Sequence, residues 1–240
     1  KPILLCVFDV IRSSMRTPNA SESFLRHPTS TLLATPGSVR VLRELLSSDG
    51  PLAVSEMAVA AQLTPQTVRN ALAGLQKGGV VEGLGQGRAR LYRADVSHPL
   101  FFPLAALFRA EEDRAVTVLT ALKLAARNVT PAPLGIWIYG SAARAEDLPD
   151  SDLEIAMVAA DDDVETPVDR FREMLGPIQD VQRVWTSVIG LSPADVRRLA
   201  SGDRWWKSAT RPHIPLYGKG PDELAELLQR PDRSRRTFGP

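Results

Sequence analysis

The sequence predicts an α/β protein of the α+β type with two domains. Its 240 residues, of which 44% are hydrophobic, provide enough apolar material for two small cores. Residues 31–97 combine helical hydrophobic spacing with two short strand-like runs, whereas residues 131–229 alternate between strand-like and helix-like segments. No run approaches the roughly 18–20 apolar residues of a membrane helix, so we expect a cytoplasmic protein without a membrane partner.

Charge is divided unevenly along the chain. Residues 1–100 contain 11 Lys and Arg against 7 Asp and Glu, and the remaining residues contain 18 against 21. A mildly basic first part fits a phosphate-binding module, and an acidic second part fits one that handles cations or charged cofactors. Cys6 is the only cysteine, which excludes an internal disulfide and a cysteine-based zinc site within one chain.

The first domain, residues 31–97 after an N-terminal extension (1–30), is predicted to contain three helices and then two strands. The first helix begins at Pro36 and ends at residues 48–51, which include a glycine and a proline that disfavour helix. Ser55 is the predicted N-cap of the second helix and Thr64 that of the third, which ends at Gly78-Gly79. The two strands are predicted over Val80–Leu84 and Arg88–Arg93. This order is that of a winged helix-turn-helix, whose second motif helix enters the DNA major groove. Such proteins read two half-sites, so we expect a homodimer on double-stranded DNA.

The third helix carries the predicted base contacts. A 100° wheel places its apolar residues Val68, Ala71, Leu72 and Leu75 on one face. Polar residues that can reach base edges or phosphates occupy the opposite face and the wing: Gln66, Arg69, Asn70, Lys77, Arg88 and Arg90. A solvated helix face or a protein-docking module shows similar polar residues, and both alternatives stay open.

Residues 54–92 resemble bacterial winged-helix regulators of the ArsR and MarR type. The matching residues are Val54-Ser55-Glu56-Met57-Ala58, Leu63-Thr64-Pro65-Gln66-Thr67-Val68, Leu72-Ala73-Gly74-Leu75, Gly79-Val80-Val81 and Tyr92. This resemblance implies transcription regulation through DNA binding.

The second domain, residues 131–229, contains a glycine-serine motif and two acids. The motif is Tyr139-Gly140-Ser141-Ala142-Ala143-Arg144-Ala145-Glu146, followed by Ser151-Asp152-Leu153-Glu154. Glycine lets a backbone approach phosphates closely, and serine can donate to anionic oxygens. Residues 152 and 154 of a strand point to one side, so their carboxylates can bind Mg²⁺ together with the phosphates of a substrate.

This motif resembles that of the minimal bacterial members of the DNA-polymerase-β-like nucleotidyltransferase superfamily, which implies a mixed sheet flanked by helices. The resemblance implies that Gly140 and Ser141 hold phosphates, that Asp152 and Glu154 are catalytic magnesium ligands, and that Arg144 assists at the nucleotide. Three departures stand out, one of which is that the second acid, Glu154, is the longer glutamate. The expected strand Val181–Leu191 contains no third carboxylate, with Asp180 just before it a poor substitute, and Ala145 replaces the usual glycine.

Three further segments are assigned from their patterns. Residues 98–130 connect the domains through a helix over 104–128, and residues 230–240 form a basic tail. Packing of a C-terminal helix explains Trp205-Trp206-Lys207 more simply than stacking on a nucleotide. The acids Asp161-Asp162-Asp163 fit a solvated loop better than a second metal site.

The leading hypothesis is a DNA-binding transcriptional regulator whose nucleotidyltransferase-like domain binds a nucleoside triphosphate with Mg²⁺ or modifies a target. One alternative is a metal-dependent nucleotidyltransferase acting on protein, RNA or a small molecule, with the winged helix as a recruitment module. Another is an antitoxin-like partner of a helical toxin. Because the third acid is missing, the sequence leaves open whether the domain is an active enzyme.

Overall fold

The computed structural model describes residues 23–87 and 90–229. The chain divides into two compact units, with the boundary between Glu112 and Asp113. Most of the predicted N-terminal extension, the basic tail and Arg88 lie outside the described residues. Within the described ranges, no helix is both long enough and apolar enough to cross a lipid bilayer.

The first unit is built from short helices and a small antiparallel sheet. Its elements are α1 (Pro28–Leu32), α2 (Pro36–Ser47), β1 (Leu52–Ala53), α3 (Val54–Ala60), α4 (Pro65–Lys77), β2 (Val81–Leu84) and β3 (Leu91–Ala94). The strand order is β1-β3-β2, and Leu84 pairs with Leu91 beside the hairpin tip. Gly85 and Gly87 have φ angles of 77° and 68°, which glycine adopts without steric penalty.

Side chains fix the helix starts of this unit. Thr64 caps α4 as predicted, since its Oγ1 accepts a hydrogen bond from the Thr67 amide at 3.1 Å, and Pro65 occupies the first turn. The prediction that Ser55 caps α3 is wrong. That helix begins at Val54, two residues before the expected first residue Glu56, and the Glu56 carboxylate accepts a hydrogen bond from the amide of the observed N-cap, Ala53, at 2.6 Å.

A single long helix, α5 (Phe101–Arg127), follows the first sheet and confirms the helix predicted over 104–128. Near its start, Leu104 and Phe108 belong to the core of the first unit. Toward its end, Leu122 and Ala126 belong to a core of the second unit.

The second unit contains a four-stranded mixed sheet. Its further elements are β4 (Gly135–Tyr139), α6 (Gly140–Ala143), β5 (Leu153–Val158), α7 (Glu165–Gln182), β6 (Thr186–Leu191), α8 (Pro193–Ala200), α9 (Arg204–Thr210), β7 (Ile214–Gly218) and α10 (Pro221–Gln229). The strand order is β6-β5-β4-β7, with β5 and β6 parallel and the other pairs antiparallel. The mixed sheet flanked by helices was predicted.

Both faces of this sheet are covered by a hydrophobic core. Alternate residues of a strand point to opposite faces, so one strand can contribute to both cores. On one face Ile138, Ile155 and Phe171 share a core, and on the other Trp137 and Trp206 do. The Trp137 indole nitrogen donates to the Ala209 carbonyl oxygen at 2.9 Å, which satisfies its buried polar group.

Helix α7 and strand β6 differ from the prediction. The helix was expected to end at Leu175, but it continues through Pro177 to Gln182 because Ile178 still packs against the core. The strand expected over Val181–Leu191 therefore begins at Thr186. Helix α9 and strand β7 were not predicted as separate elements. For β7 the reason is Pro215, which lies opposite Trp137 where the register shifts and which interrupts the strand pattern in the sequence.

Candidate functional site

The glycine-serine motif forms the tight turn from β4 into the single-turn helix α6. Gly140 has a φ of 74°, and a Cβ at this position would overlap the Glu154 carboxylate. Only glycine therefore allows the carboxylate to lie against the backbone here. Ser141 is half-buried in the same turn. Ala145, which follows, has a φ of 55°, so this alanine adopts the left-handed conformation that glycine usually provides.

Glu154 is the most enclosed of the predicted metal ligands. It is half-buried on β5, where its register partners are Tyr139 on β4 and Ser187 on β6. Asp152 directly precedes the strand and is exposed. Both acids thus lie at the end of the sheet where β4 ends and β5 and β6 begin.

An aromatic pair borders Glu154. The rings of Tyr139 and Trp205 meet edge to face with centroids 5.5 Å apart. Burial raises the pKa of Tyr139, the negative charge of Glu154 raises it further, and a hydrogen bond with Trp205 acts in the opposite direction. The phenol therefore stays neutral at physiological pH. Trp206 packs into the core as predicted, whereas Trp205 is only half-buried beside this pair.

Arg144 lies at the end of α6 and is exposed. Its Nε donates to Glu146 Oε2 at 2.8 Å. Because both side chains are accessible to solvent, this ion pair contributes little stability.

Among the residues that the structure describes, no third carboxylate joins the two acids. Across residues 23–87 and 90–229, no group of three or more His, Cys, Asp or Glu side chains could hold a metal ion. Asp180 is exposed on helix α7 and does not precede a strand, because β6 begins only at Thr186. The β6 residue in register with Glu154 is Ser187, an exposed hydroxyl that sequence reasoning missed.

Asp152 and Glu154 are of the chemical type that binds Mg²⁺. Mg²⁺ is commonly held by one or two carboxylates together with substrate phosphates, and Asp152 and Glu154 suit an ion that arrives with a nucleotide. A second ion some 3.5–4 Å from the first needs a further ligand, and among the described residues no third His, Cys, Asp or Glu side chain joins the two acids.

The first unit contains the second group of predicted residues. On α4 the apolar face Val68, Ala71, Leu72 and Leu75 is buried, as the helical wheel predicted. The opposite side chains Gln66, Arg69, Asn70 and Lys77 are all exposed. Gln66 donates to Asn70 Oδ1 at 2.9 Å and accepts from Arg69 Nη1 at 3.2 Å, so these three form one surface network.

Arg90 differs from its expected environment. It precedes β3 instead of lying within a strand over Arg88–Arg93, and it is half-buried. Its guanidinium lies over the Tyr92 ring at 5.4 Å and packs against Gly83. Among the described residues, its Nε is the one buried side-chain nitrogen or oxygen without a hydrogen-bond partner. Arg69 and Arg90 line the same cleft, which has a volume of about 600 Å³.

Comparison with known proteins gives one family match, for residues 103–211, to a family described as "Putative nucleotidyltransferase DUF294". Two solved structures are similar over 49% of this chain and 82% of theirs, each at 16% identity and a TM-score of 0.30. One is a toxin–antitoxin with AMP-PNP and the other a mutant of the toxin–antitoxin MntA–HpeT. No curated protein matches the chain. The family match supports a nucleotidyltransferase domain in the second part of the chain.

Proposed function

We propose that the second unit binds a nucleoside triphosphate together with Mg²⁺, and that it does so without efficient nucleotidyl transfer. The observation that carries the proposal is the Glu154 carboxylate seated against Gly140, at the sheet end that also holds Asp152. The Gly140 backbone can approach phosphate oxygens closely, and the carboxylates of Asp152 and Glu154 can bind a cation. One ligand that combines phosphates with a cation can therefore use both.

Each residue of this site has a distinct role in the proposal. The Gly140–Ser141 turn receives phosphate oxygens through the backbone and the serine hydroxyl. Asp152 and Glu154 bind the magnesium ion, which neutralises the phosphates. Arg144 contacts the phosphates after releasing Glu146, with which it forms a solvent-accessible ion pair.

Calorimetry with ATP tests the proposal. We expect binding with MgCl₂ that is lost in EDTA and lost in Asp152→Ala. Asp150→Ala removes an exposed acid from the same loop and serves as the matched control, with wild-type affinity expected. Equal affinity in EDTA, or unchanged binding by Asp152→Ala, contradicts the metal site.

We propose as a second function that the first unit, a winged helix-turn-helix over residues 31–97, binds double-stranded DNA as a homodimer. The observation that favours it is the exposed network Gln66, Arg69 and Asn70, whose Arg69 lines one cleft with Arg90. Amide side chains pair with adenine and arginine with guanine. Lys77 and the wing arginines Arg88 and Arg90 then contact phosphates.

An operator-binding assay tests the second function. The double variant Arg69→Ala/Asn70→Ala should lose about 1–3 kcal/mol per base contact and relax specificity. Arg90→Ala should weaken binding to all sequences alike and flatten the salt dependence. Arg109→Ala, an exposed arginine on α5, is the control. Operator affinity of the double variant equal to wild type means that α4 is not the recognition helix.

A further inference from the structure

The hairpin formed by β2 and β3 holds the Arg90 side chain in a defined place. Arg90 lies two residues before Tyr92, and Tyr92 is the register partner of Gly83 on β2. Residues two apart in an extended segment share a face, so Arg90 and Tyr92 lie on the side of the hairpin that Gly83 leaves free. The Arg90 guanidinium occupies that space, against Gly83 and with its Cζ 5.4 Å from the centroid of the Tyr92 ring.

Gly83 makes room for this side chain. A Cβ at position 83 would overlap the Arg90 guanidinium, whose Nε and Nη2 lie nearest. The backbone itself does not require glycine, since Gly83 is not among the described residues with a positive φ. Glycine within a strand weakens the strand, and it often marks a place where another group approaches closely. Here that group is the Arg90 guanidinium.

Pairing within the protein does not explain the position of Arg90. Its Nε is buried without a hydrogen-bond partner, which is unfavourable for a charged donor group. Within residues 23–87 and 90–229, Arg90 forms no ion pair or hydrogen bond, and its two Nη nitrogens are not buried. A cation held in place without an acidic partner is explained if its partner is an anionic ligand.

The Arg90 side chain lines a cleft of about 600 Å³ that belongs entirely to the first unit. Arg69 on α4 and Ser55 on α3 also line the cleft, and Gly87 contributes from the hairpin tip. Among the described residues that line it, two are arginines and none is an acid. Guanidinium N–H groups donate to phosphate oxygens in pairs, so the chemistry of this cleft suits a phosphate group.

We propose that Gly83 and Tyr92 are positioning residues, which hold the Arg90 guanidinium ready for one phosphate of the DNA backbone. The inference rests on the proposed DNA binding and adds residues that act through Arg90. An arginine that is already held in place loses less side-chain freedom when it binds its ligand. Gly83 provides the space for the guanidinium. The Tyr92 ring provides a fixed surface, because it packs against the core of the first unit.

Titration of the full chain with duplex DNA of arbitrary sequence, at several KCl concentrations, tests the proposal. Arg90→Ala removes the phosphate contact and should reduce the slope of log affinity against log salt by about one. Gly83→Ala puts a Cβ in the place of the guanidinium and should weaken binding by about threefold to tenfold, also with a reduced slope. When Arg90 is already alanine, Gly83→Ala should have no further effect, because Gly83 acts only through Arg90.

Matched variants separate positioning from folding. Gly50→Ala adds a Cβ in open space of the same unit and should bind DNA like wild type. Gly83→Ala should melt at or above the wild-type temperature, since alanine reduces the conformational freedom of the unfolded chain. The conservative variant Tyr92→Phe keeps an aromatic ring beside Arg90 and should preserve the affinity, whereas Tyr92→Leu should weaken it.

The outcomes distinguish this inference from the proposed DNA binding. If Arg90→Ala weakens binding but Gly83→Ala binds like wild type, the positioning role is wrong and the DNA interface stands. Equal losses from Gly83→Ala in the wild-type and Arg90→Ala backgrounds also overturn it, because Gly83 then acts without Arg90. If Arg90→Ala binds like wild type, Arg90 is not a phosphate contact and the positioning role fails with it. A wild-type chain that binds no duplex DNA overturns both proposals.

Discussion

At the scale of single residues, the site depends on side chains that face each other across strands. Gly140 and Glu154 were both identified from the sequence, because the glycine-serine motif and the alternation of acids are local patterns. Their mutual contact was not identified. A sequence shows which residues of a strand share a face, but not which residues of a neighbouring strand lie beside them. Ser187 was missed for the same reason. Its register with Glu154 follows only from a strand that starts at Thr186 rather than at Val181.

Ser187 gives a prediction about metal stoichiometry. The substitution Ser187→Asp places a carboxylate on β6 in register with Glu154. We expect this third carboxylate to create a second divalent-cation site. We expect calorimetry with MnCl₂ and ATP to detect one additional ion per chain relative to wild type. Ser201→Asp, at an exposed position after α8, is the control. Unchanged stoichiometry in Ser187→Asp means that this register position does not face the two acids closely enough.

At the scale of elements, local signals located the helices well and the strand ends poorly. Thr64 and Pro65 marked the start of α4 because capping is a local interaction. Helix α7 extended past the predicted end because packing of Ile178 outweighs the local effect of Pro177, which a sequence pattern does not weigh. Strand β7 depends on pairing with β4, a contact between segments far apart in the chain.

Helix α8 gives a prediction about stability and pH. Hydrogen bonds from Arg198 and then from Ser192 lower the pKa of Asp195 to about 2. A lowered pKa in the folded state means that this carboxylate stabilises the fold above its unfolded pKa, and that the contribution is lost as pH falls toward 2. At pH 7, Asp195→Ala should destabilise by about 1 kcal/mol through loss of the capping box.

Urea denaturation of Asp195→Ala and wild type at pH 7, 4 and 2.5 measures this difference. The gap in the free energy of unfolding should narrow between pH 4 and pH 2.5, because wild type loses the charged interaction there. Asp162→Ala, in an exposed loop, should match wild type at each pH. A gap that stays constant down to pH 2.5 shows that the charge of Asp195 does not contribute.

At the scale of the whole molecule, we propose that the chain binds two different ligands, DNA through its first unit and a nucleotide through its second. If the two are coupled, ATP with Mg²⁺ changes the affinity for DNA, and DNA changes the affinity for ATP by the same factor. We expect a change of about 5–150-fold in an operator-binding assay with and without ATP. Asp152→Ala should remove the effect of ATP while keeping basal DNA affinity. Equal DNA affinity at saturating ATP shows that the two functions are independent.

Turnover is the second prediction at this scale. With two carboxylates and no third ligand among the described residues, release of pyrophosphate from ATP should be absent or very slow with protein, RNA or small-molecule acceptors. A time course of pyrophosphate release measures this. Asp180→Asn should behave like wild type, since Asp180 lies exposed on α7. Robust release that disappears in Asp180→Asn makes the protein an enzyme and reverses our assignment.

Strand β6 is one of the two edge strands of the second sheet, and this position has a consequence for solubility. Its inner side pairs with β5, whereas the outward Val188 carbonyl oxygen accepts a hydrogen bond from Arg172 Nη2 at 2.9 Å. Unpaired strand edges that carry exposed apolar side chains, here Ile189 within the strand and Trp185 directly before it, favour pairing with other chains. We therefore expect Arg172 to act against aggregation, because it occupies an edge acceptor that an incoming strand would need, and Arg172→Ala should aggregate more readily than wild type in light scattering.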